Sequence, residues 1–188
     1  MADQTAARAF WKNYSHGLYA TPRAWAHKGE NLVHAFEALA SASEPDSMHL
    51  NMTDQALMLA GMSVEVQLKA ILVNLPSVRT VVTAEKRPTA EPAKTIWAKF
   101  FSHNLLELAL EAQVPLTDNE QKTAAALSQY IYWRGRYVVP TERGIDDLIP
   151  VVLDNGLIGP SHSVSLAEAR TLIHTVITEV KARLYAQA

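Results

Sequence analysis

The chain has 188 residues, of which 48% are hydrophobic and 19% charged, so it can build a core and is too apolar for an intrinsically disordered protein. Seventeen Lys and Arg against 19 Asp and Glu leave a net charge of −2, which excludes a general positive field for nucleic acid and allows only a local basic patch. The absence of cysteine excludes disulfides, thiolate metal sites and cysteine nucleophiles.

Helical periodicity dominates the chain and predicts an all-α protein, an up-down bundle of about six helices in a single domain spanning residues 1–188. The longest predicted helix carries an apolar stripe and is stopped by Pro76. In chain order, the predicted helices occupy residues 4–18, from Pro22 to the SEPDS break at 43–47, about 47–74, about 96–112, 117 to about 134, and 165–184.

Three of these helices begin at residues that are typical of helix starts. Thr21 followed by Pro22 is the pattern of an N-cap with proline at the first helical position. TDNE at 117–120, and Ser165 with Glu168, have the form of capping boxes, which predicts a helix start at each.

Two segments have no helical period and are predicted to be loops between helices. Residues 76–95, PSVRTVVTAEKRPTAEPAKT, contain three prolines, which predicts a mobile loop, with VRTVV as a short extended piece at most. Residues 137–164 contain three prolines, a DD pair and DNG, which predict an ordered loop excursion.

Arg134 is placed by the helical period on the same face as Leu127 and Ile131. An arginine there needs an anionic partner, because an unpaired buried charge is very costly. Glu65, on the flank of the long helix, can supply that carboxylate if it is partly buried; on an exposed face it would instead pair with Lys69 one turn later. Alternatively, Arg134 extends its charged end to solvent, and the aromatic residues around it belong to the core.

His103 lies at or before a helix start, where Asn104 and Glu107 form an N-x-x-E capping pattern. A histidine in this position can be a neighbour of the cap, or it can act as a general acid or base. Beyond Gly135, Arg136 is expected to point into solvent or a groove, with Tyr137 beside it.

Three blocks of sequence, in this order, resemble the HEPN superfamily: Glu65-x-x-x-Lys69 on the long helix, SHNLLELA at 102–109 and YWRGRYVVP at 132–140. The resemblance covers about residues 50–140, and the spacing of the blocks is its specific part. It implies an up-down helical bundle, commonly a homodimer, that acts in bacterial toxin–antitoxin, other defence or stress systems. RNA is the implied ligand, and an antitoxin or a nucleotidyltransferase is the implied protein partner.

The sequence departs from the family in one respect. Active HEPN ribonucleases carry an arginine followed, after four to six residues, by a histidine, and no histidine stands at that spacing from Arg134 or Arg136. The resemblance therefore favours a module that acts on RNA or a partner protein without strong catalysis. Its groove is expected to be lined by Glu65, His103, Arg134 and Arg136, with Tyr137 stacking beside them and Lys69 as a further binding residue. One alternative is a metal-independent endoribonuclease, with Arg134 and Arg136 on the phosphate and His103 as the base. The other alternative is a structural dimerisation protein.

Other kinds of chemistry have no support in the sequence. The motifs of nucleotide-binding loops, zinc proteases and serine hydrolases are absent, and Asp146 and Asp147 lack the further carboxylates of a calcium loop, so no cofactor or metal is expected. The start, MADQTAARAF, is unlike a signal peptide, and no unbroken apolar run is long enough to span a bilayer. These features predict a cytoplasmic protein that is not attached to a membrane.

Overall fold

The computed structural model describes residues 14, 17–43, 52–84, 86–134, 150–152, 158–160 and 164–185, except for the side chains of residues 133 and 134 and of the two short strands. Within these ranges the protein is helical apart from turns and one two-stranded ribbon, so the predicted all-α helical bundle is confirmed. Seven α-helices lie wholly in the described ranges: α1 Pro22–Ala42, α2 Thr53–Asn74, α3 Pro76–Val82, α4 Ala93–Phe100, α5 Leu105–Glu111, α6 Asp118–Gln129 and α7 Leu166–Leu184.

Three smaller features complete the described part of the chain. Helix α6 continues directly into one π-helical turn, Tyr130–Arg134. This turn ends near residue 134, where the helix was predicted to end. Two three-residue strands, β1 Pro150–Val152 and β2 Ile158–Pro160, pair antiparallel inside the predicted loop excursion. Of the helix predicted at 4–18, residues 14, 17 and 18 are described and helical, and the rest lies outside the described residues.

Helix α2 is the centre of the bundle and packs against α1, α7, α5, α6 and the π turn. Its predicted apolar stripe is confirmed, since Leu57, Val64 and Leu68 are almost completely buried. This helix is long and apolar enough to cross a membrane, but 78% of its most apolar window is buried inside the protein. Such burial is typical of a core helix, because neighbouring helices cover most of its surface.

Small residues let α1 approach α2 closely. A Cβ atom on Gly29 would lie 2.4 Å from Cγ of Gln67, so this contact needs a residue without a side chain. The carbonyl oxygen of Gly29 accepts a hydrogen bond from the Ser63 hydroxyl (3.2 Å), which in turn accepts one from Nε2 of Gln67 (2.9 Å). Two buried polar side chains of α2 are therefore satisfied at the contact with α1.

The two predicted capping boxes are confirmed. At the start of α6, the Thr117 hydroxyl accepts from the Glu120 amide while the Glu120 carboxylate accepts from the Thr117 amide, and Ser165 and Glu168 do the same at the start of α7. Thr21 does occupy the N-cap position of α1, but its hydroxyl donates to the carbonyl of Gly17 (2.7 Å) and does not cap the helix.

The prediction of a mobile loop at 76–95 is wrong at both of its ends. Residues 76–82 form α3, because a proline at the first helical position needs no partner for its missing amide hydrogen, and because Val82 is buried against the core. Helix α4 begins at Ala93, also inside the predicted loop. The single helix predicted at 96–112 is in fact two, α4 and α5, separated by residues 101–104.

Candidate functional site

Three of the predicted site residues lie together: Glu65 and Lys69 on α2, and His103 in the turn before α5. The Glu65 carboxylate is buried, with only 10% of its side chain exposed. Its Oε1 accepts a hydrogen bond from Nζ of Lys69 (2.6 Å), and its Oε2 lies 2.9 Å from Nδ1 of His103. The carboxylate therefore joins a cation on its own helix to a histidine that is 38 residues away in sequence.

The turn that carries His103 is held by its own hydrogen bonds. The Asn104 side chain accepts from the amide of Glu107 (3.2 Å) and caps α5, as predicted, while the Asn104 amide donates to the Ser102 hydroxyl (3.0 Å). The amide of Leu105 donates to the hydroxyl of Ser128 on α6 (3.0 Å). His103 is thus both the neighbour of a helix cap and the partner of Glu65, because the cap fixes the turn from which the imidazole reaches α2.

The hydrogen bond to Glu65 determines which nitrogen of His103 is available to a ligand. Burial by itself would raise the pKa of Glu65, but the hydrogen bond from His103 and the charge of Lys69 outweigh it, and the pKa is lowered. An ionised carboxylate only accepts hydrogen bonds, so Nδ1 carries the hydrogen in this contact. No described residue forms a hydrogen bond with Nε2, and 46% of the imidazole side chain is exposed. An exposed imidazole oriented by a buried carboxylate can exchange a proton at Nε2.

Lys69 lies on the buried side of the Glu65 carboxylate, opposite His103, and has little contact with solvent. Its side chain is 5% exposed, and Nζ lies 5.6 Å from the centre of the Phe100 ring, at a distance that allows a cation–π interaction. The Phe100 ring also packs edge-on against Trp25 of α1. The ammonium group therefore acts on the site through Glu65, because a large ligand cannot reach it from the surface.

Tyr132 belongs to this site but is not among the residues predicted from the sequence. Its ring is perpendicular to the His103 imidazole, with 5.4 Å between ring centres, and 40% of the residue is exposed. Its neighbours Tyr130 and Ile131 are buried, so the interpretation of the aromatic stretch as core holds for Tyr130 and not for Tyr132. The sequence does show that Tyr132 lies in a stretch rich in aromatic residues and arginine. It does not show that this tyrosine is exposed, because the π turn changes the helical period that predicts which side chains are buried.

The remaining predicted residues are described only in part. Arg134 ends the π turn, two residues after Tyr132, and its side chain is outside the description; the predicted contact between Arg134 and Glu65 therefore stays a prediction. Arg136 and Tyr137 lie outside the described residues.

In the described ranges, no group of three or more His, Asp or Glu side chains is arranged to hold a metal ion. The site chemistry visible there is that of one carboxylate, one ammonium group and one half-exposed imidazole next to an exposed tyrosine. Comparison of the chain with family models, with curated proteins and with solved structures gave no match.

Proposed function

We propose that this protein is a HEPN-like helical module that binds RNA at the surface formed by His103 and Tyr132, in a cytoplasmic bacterial defence, toxin–antitoxin or stress system. The observation that supports the proposal most is the hydrogen bond between buried Glu65 and half-exposed His103. It presents a hydrogen-bonding nitrogen next to an aromatic ring. Proteins recognise unpaired RNA through these two kinds of contact, because splayed bases stack on aromatic rings and offer polar edges and hydroxyls.

The arginines that follow Tyr132 in sequence supply the electrostatic part of the proposal. Arg134 and Arg136 stand two and four residues after the tyrosine. A guanidinium group binds a phosphate through two parallel hydrogen bonds, and Tyr137 is proposed to stack on a second base. A short basic stretch of this kind is the local patch that a chain of net charge −2 needs for binding nucleic acid.

A metal-independent endoribonuclease is the second candidate, and the orientation of His103 favours it. Glu65 holds the imidazole as an orienting carboxylate holds a general base, so Nε2 can take the proton of a ribose 2′-hydroxyl. The sequence lacks the arginine–histidine spacing of active HEPN ribonucleases at Arg134 and Arg136, so binding with slow or absent cleavage is the form of the function that we propose.

The protein is also proposed to form a homodimer, with an antitoxin or a nucleotidyltransferase as a further partner. Leu106 and Leu110 lie one turn apart on α5 and are both exposed, Leu110 by 76%. Burying such side chains against a second copy would remove apolar surface from water. Light scattering on the purified protein decides this point: a mass near twice 20.7 kDa supports the dimer, and a mass near 20.7 kDa contradicts it.

RNA binding is tested by fluorescence anisotropy with a labelled single-stranded RNA in low salt and EDTA. We expect His103→Ala and Tyr132→Ala each to weaken binding about tenfold, since one base stack is worth roughly 1–3 kcal/mol. His34→Ala is the matched control, because His34 is an exposed histidine on α1, and it should bind like the wild type. Unchanged affinity in both site variants, at unchanged melting temperature, would refute the proposed surface.

The same samples separate the alternatives. RNA cleavage in EDTA that disappears in His103→Ala favours the nuclease, whereas intact RNA at a high excess of protein refutes it and leaves the binding module. If RNA does not bind and both Glu65→Ala and His103→Ala lower the melting temperature, the Glu65–Lys69–His103 group is a structural network and the dimerisation protein is favoured.

A further inference from the structure

Lys69 is a buried charged residue, and its contacts indicate a role in the chemistry of the site. In the described part of the chain its one ion-pair partner is Glu65, on oxygen Oε1, and the other oxygen of the same carboxylate faces His103. The carboxylate thus lies between an ammonium group that cannot reach solvent and an imidazole that can.

The charge of this group depends on whether the imidazole is protonated. A buried carboxylate with an imidazole as its only partner favours the imidazolium form, because an opposite charge within hydrogen-bond distance is stabilising and an uncompensated buried charge is costly. With the ammonium group of Lys69 on Oε1, the carboxylate is already compensated, and the three groups sum to zero when the imidazole is neutral. A second positive charge on His103 would also be repelled by Lys69.

We propose that Lys69 is a positioning residue, which offsets the charge of Glu65 so that His103 stays neutral, with its hydrogen on Nδ1 and a free electron pair on the exposed Nε2. The proposal stands on the geometry of Glu65 between the two groups. Among the described residues, the titratable groups that contact the imidazole are Glu65, from α2, and Tyr132, from the π turn. Lys69 stands directly behind Glu65.

A neutral Nε2 accepts hydrogen bonds, and this determines the kind of ligand group it selects. Phosphate oxygens are acceptors, so a neutral Nε2 has no hydrogen to offer them, whereas a ribose 2′-hydroxyl can donate. We therefore assign to His103 the recognition of a ribose hydroxyl and leave the phosphates to other residues. This step rests on the proposed function, whereas the role of Lys69 does not.

The test of Lys69 is a titration of the His103 ring, followed by proton NMR of its Cε1–H signal, which is assigned by its loss in His103→Ala. In Lys69→Met the compensating charge is removed, and we expect the titration midpoint to move to higher pH by about one unit or more. In Glu65→Gln the carboxylate charge is removed while Lys69 remains, and the midpoint should move to lower pH. Lys69→Arg keeps the charge and should stay close to the wild type.

Opposite shifts in two folded variants are a result that a merely structural role would not give. Midpoints that stay within a few tenths of a unit of the wild type, or that move in the same direction, overturn the proposal. So does a wild-type nitrogen spectrum above the midpoint that places the hydrogen on Nε2. If Lys69→Met does not fold, the double variant Glu65→Gln/Lys69→Met is compared with Glu65→Gln: its midpoint should lie at higher pH, because the repulsion by Lys69 is gone, and equal midpoints overturn the proposal.

Recognition of the ribose is tested with RNA and DNA oligonucleotides of the same sequence. We expect the wild type, at a pH above the His103 midpoint, to bind the RNA about tenfold more tightly, and Lys69→Met to lose this preference below its own raised midpoint. Equal binding of RNA and DNA by the wild type refutes the ribose step alone. Binding of neither refutes the proposed function and leaves the titration result as it stands.

Discussion

Glu65 shows how one residue depends on both near and distant sequence. Its pairing with Lys69 follows from a spacing of four residues on a helix, which brings two side chains onto one face. On an exposed helix such a pair contributes only a few tenths of a kcal/mol. Here both side chains are buried, so removal of one partner leaves a charge in the interior without compensation. The loss of stability on breaking the pair is therefore larger than on an exposed helix.

At the scale of this residue we predict that Glu65→Ala lowers the free energy of unfolding by about 3–5 kcal/mol, because Lys69 is left buried and unpaired. The double variant Glu65→Ala/Lys69→Met should recover much of the loss, since no charge remains. Urea unfolding measures both. Glu37→Ala is the control: Glu37 pairs with Arg170 on the surface, and its loss should cost about 0–1 kcal/mol. Similar losses at Glu37 and Glu65 would contradict the prediction.

The lowered pKa of Glu65 gives the same prediction a pH dependence. A carboxyl group whose pKa is lower in the folded state stabilises the protein above the ordinary glutamate pKa of about 4.3, and this contribution is lost as the pH falls through the lower folded value. Glu65→Gln should therefore lose less stability than the wild type on acidification. Some acid sensitivity should remain, because the hydrogen bonds of Thr175 and Thr117 to buried Glu120 outweigh the effect of burial and lower its pKa also.

At the scale of elements, Gly61 determines how closely α2 approaches α6 and the π turn. A Cβ atom on Gly61 would lie 2.9 Å from Cγ1 of Ile131 and 3.1 Å from the carbonyl oxygen of Leu127. Ile131 belongs to the same turn as Tyr132, whose ring contacts His103. The close approach of these elements therefore sets the position of the aromatic side of the candidate site.

We predict that Gly61→Ala destabilises the protein by about 1–3 kcal/mol, because a methyl group in a filled interface forces neighbouring atoms to move. The matched control is Gly17→Ala, since a Cβ atom there meets nothing within 4 Å and Gly17 is helical and exposed. Alanine at that position should be neutral or stabilising by up to about 1 kcal/mol. Thermal unfolding of the two variants gives the comparison, and equal melting temperatures would contradict the packing argument.

At the scale of the whole molecule, α7 closes the bundle by binding elements that precede it in sequence. Arg183 donates to the carbonyl oxygens of Ala112 (2.6 Å) and Gln113 (2.7 Å) at the end of α5, where Gln113 has a left-handed φ of 53°. At the other end of α7, Arg170 forms a two-pronged ion pair with Glu37 of α1. The first contact satisfies helix-end carbonyls, whereas the second joins two half-exposed side chains.

This difference predicts unequal effects of removing the two arginines. Arg183→Met should cost about 1.5–3 kcal/mol, since it removes charged hydrogen bonds from two backbone carbonyls, and Arg170→Met should cost less than about 1 kcal/mol. Both substitutions keep an unbranched side chain, so the packing of the aliphatic part is similar. Denaturant midpoints of the two variants measure the difference, and a larger loss at Arg170 would refute the closing role of Arg183.

The sequence by itself determined the features that depend on near neighbours: the helical class, the apolar stripe of α2, the two capping boxes and the Glu65–Lys69 spacing. It predicted a loop at 76–95 because prolines and a missing period outweighed local propensity, but burial of Val82 against the core stabilises α3 in the first part of that segment. Only the tertiary structure decided that Glu65 is buried, that it contacts His103 and that Tyr132 completes this surface. The physical reason is that burial and long-range contacts depend on how helices pack, whereas caps and periodicity depend on residues within one or two turns.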